Sequence, residues 1–195
     1  MNRIVEELHR PQLTANEVTV RAKSRLMLSL VKQLLVVIEE IKSYDEAIRT
    51  LFLTHPDQRL WQSLPRAAKR LAPRLLAEWG DDRVRYVDAN SVQTLAGTAP
   101  VPFQSGNFAK MHKRFACLKP LRNVLHQLAW QSTKQEAWAL TYYKRKRAEG
   151  KSHSMAVRSL ANVWVRIIYA MWFEHKSSKT ATFEAAQHHH AKRAA

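Results

Sequence analysis

The chain has 195 residues, of which 46% are apolar and 25% are charged. That length allows one good core, or one core with an appended helix, and the apolar fraction excludes a mostly disordered protein. With 4 Gly and 7 Pro, the chain has too few turn residues for a β-sandwich or barrel, so we expect an all-α fold. The formal charge of +16 has the sign that attracts nucleic acid or an anionic membrane.

Charge patterning favours nucleic acid over a membrane. No segment approaches the roughly 20 apolar residues of a spanning helix, and the basic residues are scattered over several segments rather than gathered on one helix face. Glu6 and Glu7 lie where an export signal has its apolar core, and the single Cys117 requires no oxidising compartment. We expect a cytoplasmic protein of the bacterial nucleoid, without membrane binding.

Residues 16–53 contain neither Pro nor Gly and predict one long helix. Its apolar residues recur at steps of three and four, at Val31, Leu34, Ile38, Ile41, Ile48 and Phe52. Such a stripe shows that a face is buried but not what buries it. A coiled coil between copies of the chain and packing against its own domain remain equally open. Pro56 ends the helix, so we predict a coiled-coil-like segment over residues 1–55.

Residues 56–176 predict a compact helical domain, and residues 177–195 a disordered tail. The expected helices cover residues 60–64, 67–79 with Pro73 shortening or kinking the helix, 88–96 capped by Asp88 or Asn90, 120–147, and Ser152 or Ser154 to about 175. The exception is residues 97–107, which hold two Gly and two Pro. We predict a loop there, and loops on a rigid scaffold often carry function.

Motifs for metal, ATP or dinucleotide chemistry are missing from the sequence. The acids are scattered, no Gly-rich phosphate loop is present, and the His188–His190 tract has no ligand partner at suitable spacing. We predict no metal site. What remains is Ser105 in the 97–107 loop, followed by eleven basic and two acidic residues between 110 and 151. Such a segment would neutralise DNA phosphates, although Ser105-Gly106 alone is typical of an ordinary turn.

Residues 95–101, followed by Gln104-Ser105-Gly106, resemble the C-terminal half of the IS110 family of insertion-sequence transposases, the bridge-RNA-guided DNA recombinases. Further matches follow the family's order and spacing at residues 75–81, 120–125, 139–143 and 150–156. The resemblance spans about residues 60–175. The long helix before it is similar to the coiled coil that joins the two halves of these proteins.

This resemblance implies a mechanism. The serine of the family's Gln-Ser-Gly motif, here Ser105, attacks a DNA phosphodiester and holds the strand as a phosphoserine. The other half of the family's active site is a RuvC-like domain whose four carboxylates bind magnesium, and no segment here resembles it. We therefore expect no cofactor in this chain and no catalysis by Ser105 without a RuvC-like partner domain. The implied partners are DNA, a structured guide RNA and further copies of the chain.

Two segments depart from the family pattern. Residues 65–69 lack the two glycines of the family's Pro-Gly-Ile-Gly-Pro hairpin, and residues 113–122 lack its glycine-asparagine turn. These departures suggest a divergent or decayed copy, a separately encoded fragment or an excised domain. The predicted nucleic-acid-binding residues are Arg66, Lys69, Arg70, Gly106, Lys110, Lys113, Arg114, Lys119, Arg122, Lys144, Arg145, Lys146, Arg147 and Lys151.

Two other functions fit the composition. One is a non-catalytic basic helical nucleic-acid-binding protein, in which Ser105 is only a turn residue. The other is a coiled-coil assembly protein, for which the charge is incidental. Aromatic and histidine side chains do not decide between them. We expect core packing for most of Trp61, Trp130, Trp138, Trp164 and Trp172, and structural roles for His112, His126 and His153.

Overall fold

The structure is a computed structural model that describes residues 2–10, 15–67 and 69–175. The predicted tail, with His188–His190, lies outside the described residues. Within them the fold is helical with one small β-hairpin, which confirms the expected class. The elements are α1 (Asn2–His9), α2 (Glu17–Thr54), α3 (Gln58–Gln62), α4 (Leu71–Trp79), α5 (Ala89–Leu95), β1 (Val101–Ser105), β2 (Phe108–His112), α6 (Lys119–Ser132), α7 (Ala137–Ala148) and α8 (His153–Phe173).

The chain divides into two compact units, residues 1–47 and 48–195. Helix α2 matches the predicted 16–53 closely, and the side chain of Asn16 caps it by accepting a hydrogen bond from the Thr19 amide at 2.8 Å. Its apolar stripe is exposed from Val31 (45%) and Leu34 (57%) to Ile48, whereas Phe52 at its end is buried in the core of the second unit. A row of exposed apolar side chains is typical of a helix that meets a partner.

None of the described helices combines the length and the apolar character needed to cross a bilayer.

The core of the second unit is built on the contact between α6 and α8. Helix α4 packs on α6, α5 and α7 pack on α8, and α3 packs on α4. The largest side chains buried in this helix pair are Leu121, Val124, Leu125 and Leu128 of α6 and Leu160, Val165, Ile168 and Trp172 of α8. Within each helix these residues lie on one broad face, as expected for a helix that is buried on one side.

The single helix predicted over residues 120–147 is wrong, because the chain breaks between α6 and α7. Two hydroxyls at the end of α6 bond back to carbonyls three residues earlier: Ser132 to Ala129 at 2.8 Å and Thr133 to Trp130 at 2.7 Å. Trp164 Nε1 then donates to the buried Ser132 hydroxyl at 2.8 Å. This break lets α7 turn back and pack against α8.

Helix α4 begins at Leu71, four residues after the predicted start. Arg66 has a positive φ of 53°, which ends regular backbone before the helix. Pro73 lies in the first turn of α4, where its missing amide hydrogen is not needed, so it shortens the helix as predicted without kinking it. Two predicted caps are confirmed: Asp88 accepts from the Ser91 amide at 2.7 Å, and Ser152 accepts from the Met155 amide at 3.3 Å.

The predicted 97–107 loop is partly a strand. Strand β1 pairs antiparallel with β2 in a register that sets Val101 opposite His112 and Ser105 opposite Phe108. Pro102 cannot donate to a ladder, and it is tolerated because β1 has no second neighbouring strand. The all-α expectation therefore holds for the scaffold but missed this hairpin.

We expect Ser132→Ala to destabilise the domain by about 1–3 kcal/mol, because it leaves the buried Trp164 N–H without an acceptor. Ser159→Ala is the matched control. Its hydroxyl only bonds back to the Met155 carbonyl of the same helix, so its loss should be nearly neutral. Urea unfolding measures both, and equal stabilities of the two variants would contradict the proposed role of the Ser132 hydroxyl.

Candidate functional site

Ser105 lies at the tip of the hairpin, next to its turn. The register leaves only Gly106 and Asn107 between the strands. Gly106 has a φ of 55°, and a positive φ at the first of two turn residues is the pattern of a type II′ turn. The Ser105 side chain is exposed. Its hydroxyl is therefore open to a ligand from outside the chain.

The strand register also defines the neighbours of Ser105. Side chains alternate between the two faces of a strand, so Ser105 shares its face with Phe103, Phe108, Lys110 and His112. The ring centroids of Phe103 and His112 lie 5.6 Å apart, in agreement with this arrangement. Lys110 is the diagonal neighbour of Ser105 and is within reach for a long side chain.

The hairpin itself offers Ser105 no base. His112 shares the face, but it lies opposite Val101 at the other end of the ladder, about 13 Å along the strand. Neither strand contains Asp or Glu. A serine hydroxyl is a weak nucleophile unless a base or metal activates it, so any activating group has to come from elsewhere.

The hairpin is exposed over almost its whole length. Only Val101 at its start is partly buried, whereas Phe103 is 52%, Phe108 56% and Met111 67% exposed. Exposed aromatic side chains on a small sheet with two unpaired edges are typical of a surface that meets a ligand.

The base of the hairpin, by contrast, is firmly attached to the helices. Thr98 Oγ1 donates to Asn162 Oδ1 of α8 at 2.9 Å, and Gln93 Nε2 of α5 donates to the Asn162 carbonyl at 2.8 Å. After β2, in the segment that leads to α6, the Leu118 amide donates to the Leu95 carbonyl of α5 at 2.8 Å. The segments before and after the hairpin are thereby attached to α5 and α8.

Four basic side chains lie close enough to interact electrostatically: Lys113, Arg122, His126 and Arg158, here called the basic cluster. Lys113 directly follows β2. Burial, followed by the charges of Arg122, Arg158 and Lys113, lowers the pKa of His126 to about 4. Burial and the charge of Arg122 also lower the pKa of Arg158. Arg122 Nη1 lies 3.3 Å from the Cys117 sulfur. The cluster therefore joins α6, α8 and the segment after β2.

The other predicted binding residues lie on different elements. Arg66, Lys69 and Arg70 are exposed between α3 and α4, where the Arg66 amide donates to Gln135 Oε1 at 3.1 Å. Gly106 and Lys110 are on the hairpin, and Lys119 is exposed at the start of α6. Arg114 is half-buried after β2. The predicted set thus falls into groups at the hairpin, at the α3–α4 connection and at the end of α7.

The group at the end of α7 is partly structural. Lys146 Nζ donates to Glu149 at 2.7 and 3.1 Å, and Arg147 Nη1 donates to the Lys151 carbonyl at 2.8 Å. Arg145 lies 3.9 Å from Glu149. Lys144 and Lys151 are exposed. These contacts stabilise the helix end, as cations in a last turn do.

Two side chains of the basic cluster, His126 and Arg158, were not among the predicted binding residues. His126 follows Arg122 by four residues and therefore shares its helix face, a signal that the sequence did contain. Arg158 had no such signal, because only the packing of α8 on α6 brings it to Arg122. Among the tryptophans, Trp130 is the exception to core packing, being 37% exposed with its ring centroid 4.9 Å from that of His153.

Comparison with known proteins identifies a family. Residues 58–144 match the model of the transposase IS116/IS110/IS902 family. The chain is 32% identical over 136 residues to the mini-circle candidate transposase for IS117 of Streptomyces coelicolor, covering 70% of this chain and 33% of that protein. The family match contains the whole hairpin with Ser105 and three members of the basic cluster, and it confirms the resemblance found in the sequence.

Two further relatives come from other insertion elements. The 42 kDa protein of insertion element IS900 from Mycobacterium paratuberculosis is 31% identical over 160 residues, covering 80% of this chain and 40% of that protein. The 44.8 kDa protein of insertion element IS116 from Streptomyces clavuligerus is 32% identical over 149 residues, covering 76% and 37%. This chain thus spans 33 to 40% of the length of these three relatives.

The lowered pKa of His126 predicts a pH-dependent stability. In the unfolded chain the imidazole binds a proton near pH 6.5, but in the folded chain only near about 4. The unfolded state therefore binds more protons between these values, so the free energy of unfolding falls as the pH decreases through this window. We expect His126→Asn to remove this contribution.

The measurement is urea unfolding of both proteins at about pH 7 and about pH 5, which bracket most of the window. Carboxylates titrate in both proteins and cancel in the difference. A loss of stability on acidification that is as large in His126→Asn as in the parent chain would contradict the prediction.

Proposed function

This chain belongs to the transposase IS116/IS110/IS902 family through its residues 58–144, and we propose that it acts as a transposase C-terminal domain. In this proposal the domain binds DNA and supplies Ser105 as the nucleophile of strand exchange. The observation that carries the proposal is the position of Ser105: exposed at the tip of a hairpin whose base is fixed to the helical core.

The reaction is a transesterification at phosphorus. The Ser105 oxygen forms a bond to the phosphorus of a DNA phosphodiester, and the bond from phosphorus to the leaving nucleotide oxygen breaks. The serine hydroxyl loses a proton and the leaving oxygen gains one. A hydroxyl on another DNA end then attacks the phosphoserine, which rejoins the strand and restores the serine. Lys110, on the same face, is suited to stabilise the negative charge that develops on the phosphate oxygens.

Activation of Ser105 is assigned to another domain. The family resemblance implies magnesium held by carboxylates, but the hairpin strands contain none. The described part of the chain also holds no group of three His, Cys, Asp or Glu side chains suited to a metal ion. These residues do not fit magnesium. We propose that a RuvC-like partner domain supplies the activating groups.

The proposed partners are DNA, a structured guide RNA and further copies of the chain. DNA and RNA both fit the formal charge of +16. Assembly with other copies would use α2, whose exposed apolar stripe has the spacing of a coiled-coil seam. A serine from one copy would then meet the activating groups of another.

A non-catalytic nucleic-acid-binding role is the second candidate. The observation that favours it is the position of Ser105 next to a type II′ turn, with no base within reach on the hairpin. The two functions share the basic surface and differ only in whether the Ser105 oxygen becomes bonded to DNA.

Ser105→Ala tests the nucleophile. The full chain, mixed with DNA, magnesium and a RuvC-like domain from a full-length family member, should form a covalent protein–DNA adduct on a denaturing gel. Loss of the only attacking oxygen should lower adduct formation at least about a thousandfold. Ser154→Ala, an exposed serine at the start of α8, is the control and should react normally. An adduct of normal yield in Ser105→Ala would exclude this serine as the nucleophile.

Assembly through α2 is tested by Val31→Glu, which sets a charge in the middle of the apolar stripe. Burying that charge in a helix pair is unfavourable, so the variant should sediment as a monomer at concentrations where the parent chain associates. Gln33→Glu introduces the same side chain off the stripe and should leave the association unchanged. A parent chain that is monomeric throughout the accessible concentration range would contradict assembly through this helix.

A further inference from the structure

The basic cluster lacks the acidic partners that other basic side chains of this protein have. In the described residues, no carboxylate lies within ion-pair distance of Lys113, Arg122 or Arg158. Arg83 provides the contrast. Arg83 is also half-buried. Its Nη2 lies 2.7 Å from both carboxylate oxygens of Asp57. Its guanidinium also stacks 4.4 Å from the Trp172 ring centroid.

Partial burial of the cluster makes the lack of acidic partners energetically unfavourable. Arg122, His126 and Arg158 are all half-buried, so part of the water that would stabilise their charges is excluded. Like charges then repel each other more strongly than they would in water. Burial, followed by the neighbouring positive charges, lowers the pKa of both His126 and Arg158. An anion placed among these groups would relieve the repulsion.

One buried polar atom of the cluster has no hydrogen-bond partner, namely His126 Nε2. Other buried atoms of the described residues share this lack: Nε of Arg83, Nε of Arg114 and the indole nitrogens of Trp61, Trp79 and Trp172. Arg114 directly follows Lys113 in the chain. The Arg114 carbonyl and the Cys117 side chain also line Gly97, where the segment leading to β1 begins. Because Arg122 contacts Cys117, it lies near the point at which the segment leading to β1 begins.

From this geometry we infer that the basic cluster is a phosphate-binding site, which holds one backbone phosphodiester of the DNA strand whose cleavage is assigned to Ser105. Arg122 and Arg158 donate to the phosphate oxygens, and Lys113 adds charge at the exposed rim. The inference rests on the proposed function for the identity of the strand. The cluster itself requires only a phosphodiester.

The distance along the hairpin suits this arrangement. Ser105 lies about 13 Å from the base of the hairpin, measured along β1. A strand of duplex DNA rises about 3.4 Å per nucleotide, so one strand would reach from the cluster to Ser105 within about four nucleotides. The cluster would bind a phosphate away from the reacting one, and its residues are positioning residues rather than catalytic ones.

Arg158→Gln is the test, with Arg166→Gln as its matched control, because Arg166 is an exposed arginine on the same helix. Binding of the full chain to a fluorescent DNA duplex is measured against salt concentration. Loss of one charge-assisted phosphate contact should weaken the affinity about tenfold or more and lower the salt slope by about one. The control should change the affinity less than about threefold. Arg158→Lys, which keeps the charge, should recover part of the binding.

A second measurement requires no substitution near the site. In the parent chain, the histidine ring signals in NMR should show the His126 pKa rising when the duplex is added, because a bound phosphate offsets the neighbouring cations. Circular dichroism confirms that each variant is folded. If Arg158→Gln does not fold, the His126 titration in the parent chain alone decides whether a phosphate binds at the basic cluster.

The outcomes separate this inference from the proposed function. If the parent chain binds DNA but Arg158→Gln equals Arg166→Gln and the His126 pKa stays unchanged, the phosphate site is excluded while the proposed function stands. If the parent chain does not bind DNA, both are excluded. If Arg158→Gln weakens binding only to an RNA duplex, the assignment to a DNA strand is excluded. If Arg158→Gln weakens DNA binding as expected but Ser105→Ala still forms adducts, the phosphate site stands and the proposed role of Ser105 as the nucleophile is excluded.

Discussion

The contact between α6 and α8 is the constraint on which the second unit depends. Its apolar residues form the centre of the core. Helices α4, α5 and α7 each pack on one of these two helices, and α3 packs on α4. Apolar packing is not directional by itself, so the hydrogen bond from Trp164 to Ser132 helps to set how the helices meet. The same two helices supply Arg122, His126 and Arg158. The core therefore positions the basic cluster, and Asn162 of α8 also holds the start of the hairpin.

Placing basic side chains on a packed helix pair has an electrostatic cost that a surface cluster would not have. Around Arg83 the protein offsets that cost internally, with the carboxylate of Asp57 and the ring of Trp172. Around Arg122 and Arg158 it does not. Burial, together with these charges, favours the neutral form of His126. The two arrangements occur in one domain, and the difference lies in whether the compensating negative charge belongs to the protein or comes from outside.

The sequence predicted those features that follow from local pattern. The apolar periodicity located α2 and α8 closely, and the capping residues Asp88 and Ser152 marked helix starts correctly. The sequence did not predict the features that depend on tertiary contacts. The break after Ser132 depends on Trp164, which lies 32 positions away, and the continuous apolar pattern across 120–147 gave no sign of it. The hairpin was missed because Gly and Pro in residues 97–107 excluded a helix without indicating a strand.

The candidate site shows the same division. Ser105 was found from a family motif, and Lys113 and Arg122 from charge density. Arg158 could not be found, because its relation to Arg122 exists only once α8 lies on α6. Pattern along the chain selects candidate functional side chains. It does not identify which of them lie close together in the fold, and electrostatic coupling depends on that proximity.

The tip and the base of the hairpin differ in exposure and in their attachment to the helices. Its tip carries an exposed serine without a base, while its base is held by hydrogen bonds to α5 and α8. A hydroxyl of ordinary reactivity does not attack phosphodiesters that it meets by chance, so reaction would require activating groups brought to the tip by another domain. Fixing the base of the hairpin limits where the tip can lie relative to the cluster. The domain would then contribute position and a nucleophile, and the control of the reaction would rest on assembly.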